Sequence, residues 1–228
     1  MASHKQCKPY GNPATAKVFV IGHDPTLQTS PTVADYAFFI DYIMKPRPTL
    51  KAERTKHDFA LGTYIYIKAL CGRSISFEDM YFTNLCNRSL DHENKGMILI
   101  DKRIAGQGIQ EIEATLREGS FQVILPMSQQ VSYHLANCNF VKEASSDRLV
   151  TFLKKSQPKP EQAKQGVYAP VGAEAFVDVC GNTYTHRGGV PVVPILHVKQ
   201  WLNGFTISPK YFEPMSRAGK NVRRVLKG

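Results

Sequence analysis

A carboxylate, a carboxamide and an imidazole punctuate this chain at three distant points, and each stands where a short apolar run stops. Asp24 follows KVFVIGH (17–23), Asn84 closes DMYFTN (79–84) and His197 closes VPVVPILH (190–197). A carboxylate orients a water or balances a developing positive charge. A carboxamide matches the paired donor and acceptor of a heterocycle edge, and an imidazole donates to an oxygen that gains negative charge in a transition state. Taken singly, a turn aspartate, a strand-end asparagine and a lone histidine are more often structural. Their shared placement makes them a candidate set.

The elements that must position them follow from the pattern. Short runs rich in Val, Ile and Phe, separated by helical spacing, read as buried parallel strands. Four are expected, near 17–22, 79–85, 121–125 and 191–196. Helices are expected over 30–44, over 56–71 with Thr55 as its cap, near 107–118, in a short piece capped by Ser128, and over about 214–226. AFVDVCGNTYTH (175–186) alternates about Gly181-Asn182 and reads as a hairpin. The predicted fold is α/β: a three-layer sandwich with a central, mostly parallel four-stranded sheet flanked by helices. It forms a single domain over 1–228 with an irregular insertion near 141–190. In such sheets ligands bind outside the carboxyl ends of the strands, where all three residues would stand. Gly22 permits close backbone approach there, and Pro25 stiffens the turn that presents Asp24.

Composition narrows the function classes. The chain has 228 residues, 43% of them hydrophobic and 21% charged, as in ordinary globular proteins. No apolar run reaches the roughly 18 residues of a membrane helix, and the first residues carry no secretory signal, so a cytoplasmic monomer is expected, nucleoid-associated if prokaryotic. The five cysteines are scattered without a CxxC pair, which argues against a disulfide framework or a zinc site. No metal and no cofactor is expected. Lys and Arg number 29 against 19 acids, a net charge of +10. Residues 199–228 hold seven basic residues and one acid, Glu213. Lys199, Arg217, Lys220, Arg223 and Arg224 are therefore candidate contacts to a polyanion, most simply nucleic acid.

The ordered set GHDP, FTN, ILPMSQQ and PILH resembles the uracil-DNA glycosylase superfamily over most of residues 17–205, least in 141–190. There a Gly-x-Asp-Pro turn, a strand-end Asn, a third strand and a final His loop recur in this order. The resemblance implies an N-glycosidic hydrolase acting on uracil or another deaminated base in single- or double-stranded DNA. Asp24 would activate water or stabilise the cationic sugar. Asn84 would read the base, with Gly22 and His23 beside it, and His197 would hydrogen-bond the base oxygen as the bond breaks. Phe39 or a nearby aromatic would supply a stacking surface. The chain departs from the pattern at His197-Val198-Lys199, where the superfamily often has His-Pro-Ser. It departs again at Thr26, where the best-known branch has a tyrosine that excludes thymine, and at Pro126 in place of a glycine. The clustered cysteines of the iron–sulfur branches are absent. Two other readings stay open: a non-catalytic nucleic-acid-binding protein of the same fold, and a hydrolase or transferase acting on free nucleosides or nucleotides.

Overall fold

A computed structural model describes residues 6–23, 34–87, 100, 102–143, 146–156, 173–198 and 211–228. Its centre is a sheet of β1 (Val18–Gly22), β2 (Met80–Asn84), β3 (Val123–Pro126), β4 (Tyr184–Thr185) and β5 (Pro191–Val192) in the order β2-β1-β3-β5-β4. β2, β1, β3 and β5 are parallel, and β4 runs antiparallel to β5. Each of the first three strands is buried along its whole length. Continuous apolar runs need that double-sided cover.

Two cores share the sheet. Phe19, Ile21 and Ile124 point into one, together with the inner faces of α2 (Lys102–Glu118), α3 (Gln129–Asn137), α4 (Asp147–Lys155) and α5 (Ala173–Val179). Val18, Val20, Val123 and Leu125 point into the other, under a 3-10 segment (Ala37–Met44), α1 (Lys51–Cys71) and α6 (Phe212–Val225). Successive strand residues alternate between the two, as the pleat requires. No helix among the described residues is long and apolar enough to cross a membrane.

The expected mostly parallel sheet is present, with five strands in place of the expected four. The hairpin expected about Gly181-Asn182 is absent. Its first half is α5, which buries Ala175, Phe176, Val179 and Cys180 at helical spacing. The other half pairs instead with β5. The fourth run is assigned as strand only over Pro191–Val192, yet its pairing with β3 goes on: Val193 N–H donates to the Ile124 carbonyl and Ile195 N–H to that of Pro126, each at 2.9 Å, and Ile195 bridges Met127. Of the insertion expected near 141–190, residues 144–145 and 157–172 lie outside the described residues; the rest includes α4 and α5, which pack through Leu149, Phe152 and Phe176.

Helix boundaries also move. α1 starts at Lys51, and Thr55 is no cap: its hydroxyl donates to the Lys51 carbonyl within the helix at 3.1 Å. The stretch predicted as a helix over 30–44 is described from Ala34 onward and is a 3-10 segment bent at Phe38 and Phe39. Ser128 does cap α3, accepting from the Val131 N–H at 3.3 Å, and Gly72 ends α1.

Candidate functional site at the carboxyl edge of the sheet

In the strand order, β2 lies on one side of β1 and β3 on the other. The connection leaving β1 runs towards β2 and the one leaving β3 runs towards β4 and β5, so the topological switch point, where open α/β sheets hold their ligands, lies between the carboxyl ends of β1 and β3. Gly22 is the last residue of β1, and its register partner on β2 is Asn84. The parallel ladder continues past them: Leu85 N–H donates to the Gly22 carbonyl at 2.8 Å and Cys86 N–H to that of His23 at 3.0 Å. On the other side, Ser128 N–H donates to the Ile195 carbonyl at 3.0 Å. His197 follows two residues later, half-buried, and the Leu196 carbonyl before it accepts from the Tyr66 hydroxyl of α1 at 3.1 Å. Sequence reasoning thus located Gly22, Asn84 and His197 along one edge. Asp24 and Lys199 lie outside the described residues.

The side chain that meets Gly22 and Asn84 is Phe38. A Cβ on Gly22 would collide with the Phe38 ring and lie 2.6 Å from Asn84 Oδ1, so ring and carboxamide share the space that the missing side chain leaves. Phe38 and Phe39 both hold left-handed φ, at 59° and 55°, and Ser128 has φ 120°. These are three of the four described non-glycine residues with positive φ, and all three adjoin this edge. Such conformations cost about 1–3 kcal/mol each and gather where function over-determines the backbone. Sequence reasoning named Phe39; the residue against the site is Phe38. The periodicity of SPTVADYAFFIDYIM concealed it, because a regular helix would have turned these rings differently.

Asn84 is only 2% exposed and is held on several sides. Its Nδ2 donates to Cys7 Sγ at 3.7 Å, and its backbone N–H donates to Asn87 Oδ1 at 3.4 Å. Cys7 N–H in turn donates to the Asn87 carbonyl at 2.8 Å, which closes a ring of three residues. Neither Cys7 nor Asn87 stood out in the sequence. The only signal was an asparagine three positions beyond another on the same turn.

The basic residues divide by place. Arg217 Nη2 donates to the carbonyls of Val177 and Cys180 at 3.1 and 2.9 Å, where α5 ends. Arg223 Nη1 does the same for α1, reaching Ala69 and Leu70 at 3.1 and 3.3 Å. Cations at helix C-termini satisfy orphan carbonyls and oppose the dipole. Lys220 and Arg224 are exposed. The end of α1 that Arg223 closes feeds the amino end of β2, so this turn of α6 sits at the edge opposite the crevice. The N-terminus of α1 lies on the crevice side. There Lys45, Arg47, Lys51 and Arg54 are exposed, and Met44 and Leu50 stand 69% and 71% exposed among them.

Among the described residues no three His, Cys, Asp or Glu side chains are grouped to hold a metal ion. No protein-family model matches this sequence, and no curated protein matches it.

Proposed function

We propose that the chain is a DNA glycosylase resembling the uracil-DNA glycosylase superfamily, hydrolysing the N-glycosidic bond of uracil or another deaminated base. The observation that carries this reading is the convergence of Gly22, Phe38 and Asn84 at the carboxyl end of β1, beside the switch point, with Phe38 held on left-handed backbone. A glycine lets an aromatic ring and a carboxamide meet at the strand end, and a carboxamide carries the donor and the acceptor that a base edge pairs with. His197 enters the same edge as the donor to the base oxygen, and Asp24 follows Gly22 by two residues as the carboxylate for water or the cationic sugar. Bond cleavage separates an anionic base from an oxocarbenium-like sugar, and these two residues would stabilise opposite charges in that transition state. The base must first leave the stack, which costs roughly a few kcal/mol. The basic stretch 45–54, with Met44 and Leu50 exposed within it, suits a phosphate backbone and a disturbed stack beside the crevice.

One observation favours a second reading, a nucleic-acid-binding protein without catalysis. Asn84 and Phe38 are 2% and 6% exposed, so their polar and aromatic faces pack on one another rather than on an open slot. A single experiment separates the two. Labelled single- and double-stranded DNA carrying uracil, hypoxanthine or xanthine is incubated with the protein and treated with alkali. The glycosylase reading expects strand breaks at one lesion, lost in Asp24→Asn while DNA binding persists. Salt-sensitive binding with no break at any lesion would establish the second reading instead.

A further inference from the structure

The run after β5 stays paired with β3 as far as Ile195. The carbonyls of Pro194 and Leu196 take their partners from elsewhere: Gly181 N–H donates to the first at 2.7 Å, and the Tyr66 hydroxyl to the second at 3.1 Å. A buried carbonyl left unpaired is costly, so each of these donors fixes a piece of backbone. Tyr66 comes from α1 and is 1% exposed. Burial holds its hydroxyl well above the ordinary phenol range, and it stays a donor. A phenylalanine would fill the same core; the hydroxyl is there for what it bonds. Met215 Sδ of α6 lies 3.5 Å from the same oxygen, and the Cys180 thiol also hydrogen-bonds the Leu196 backbone. Cys180 and Gly181 are themselves tied to α6, Arg217 donating to the first carbonyl at 2.9 Å and Asn221 Nδ2 to the second at 2.7 Å. Leu196 is thus gripped from α1 and from the end of α5. The residue after it is half-buried His197, and Val198 beyond is fully buried. The imidazole stands on backbone anchored on both sides, and a donor to a developing oxyanion acts only from the right place.

We propose that Tyr66 is a positioning residue for His197: through the Leu196 carbonyl, its hydroxyl sets where the imidazole stands at the carboxyl edge of the sheet. What that imidazole does rests on the glycosylase reading; where it stands does not. Tyr66→Phe keeps the ring and removes the hydroxyl. Thr63→Val is the control, since it removes another buried hydroxyl of α1, one that donates within the helix to the Phe59 carbonyl at 2.8 Å.

Two measurements decide it. In the first, the proton–nitrogen correlations of the His197 imidazole are recorded on the protein without DNA. They should shift or split in Tyr66→Phe and stay in place in Thr63→Val, with those of His186 unmoved in both. In the second, lesion-bearing DNA is cleaved. Tyr66→Phe should lower kcat by about tenfold or more while KM and DNA affinity stay unchanged. In a His197→Ala background the same substitution should cost nothing further, because the group it positions is gone. An unmoved His197 signal, an unchanged kcat, or an equal loss with and without His197 overturns the proposal and leaves the glycosylase reading standing; the hydroxyl then only satisfies a buried carbonyl. If Tyr66→Phe does not fold, Cys180→Ala, which releases Leu196 from the other side, is measured with the same expectations. No cleavage at any lesion by the unaltered protein removes the glycosylase reading, and the His197 signals then still decide whether Tyr66 positions the imidazole.

Discussion

Gly22 carries more of the candidate site than its size suggests. A methyl group there must displace either the Phe38 ring or the Asn84 carboxamide, and both are buried. Neither can yield cheaply, because Phe38 packs on Phe82 with ring centroids 5.9 Å apart and Asn84 is fixed by Cys7 and Asn87. Gly22→Ala should therefore destabilise the fold by about 1–3 kcal/mol, the usual result of overpacking a core, and should reduce lesion cleavage more than it reduces DNA binding. Urea denaturation and paired cleavage and binding assays measure the two effects. The sequence disclosed Gly22, Asn84 and His197 because each closes an apolar run, and a run's end is visible in one dimension. Phe38, Cys7 and Asn87 were hidden, because they reach the site by a left-handed kink, an N-terminal arm and a loop contact that no periodicity records.

At the scale of elements, two of the arginines expected from the sequence to contact a polyanion, Arg217 and Arg223, also close the ends of helices. Arg217 spans the carbonyls at the end of α5 and pairs with Glu213 at 3.4 Å; Arg223 spans those at the end of α1. Hydrogen bonds from charged groups contribute about 1.5–3 kcal/mol each at most, and less where solvent reaches them. Arg217→Ala should lower the thermal midpoint while leaving the salt dependence of DNA affinity unchanged. Lys51→Ala and Arg47→Ala should do the reverse, and a reduced salt slope in Arg217→Ala would place that residue on DNA after all. Elements with a long, steady period were legible: β1, β2, β3 and α6 lie close to their predicted spans, and α1 and α2 end where expected but begin earlier, at Lys51 and Lys102. The failed hairpin has one cause. In FVDVC a strand's alternation and a helix's three-and-four spacing coincide over five residues, and the burial of Phe176, Val179 and Cys180 by neighbouring α4 decides for helix.

Over the whole molecule, buried ionisable groups set how stability responds to alkali. Burial pushes the Cys71 and Cys180 thiols up from 9.0 to about 12, with nearby Lys68, Arg223 and Arg217 only partly opposing it. Burial likewise pushes the Tyr184 hydroxyl from 10.0 to about 12. The unfolded chain gives up these protons at lower pH than the folded one, so above pH 9 it binds fewer of them. Stability is then full below about pH 9 and falls as pH rises towards 12. Urea midpoints at pH 7, 9 and about 10.5 should decline in that order, and Cys71→Ala should flatten the decline. Native Cys71 and Cys180 should also resist alkylation at pH 8, whereas half-exposed Cys138 should react first.

The N-terminal arm has a consequence for life in a crowded solution. Tyr10 exchanges both backbone hydrogen bonds with Phe82, at 2.9 and 2.8 Å, and so occupies the outer side of β2. β2 is the last strand on that side of the sheet, and its residues Met80-Tyr81-Phe82 are apolar. Without the arm, the N–H and carbonyl of Phe82, in the middle of an apolar strand, would be offered to any other copy, which is the start of strand-to-strand aggregation. A chain lacking residues 1–16 should therefore fail by forming oligomers rather than by simply melting earlier. Light scattering that grows with protein concentration, before any loss of helical circular dichroism, would reveal it. A truncated chain that stays monomeric would mean that β2 is shielded by something other than this arm. On this view residues 6–16 are less a leader into the fold than a built-in chaperone for its most adhesive strand.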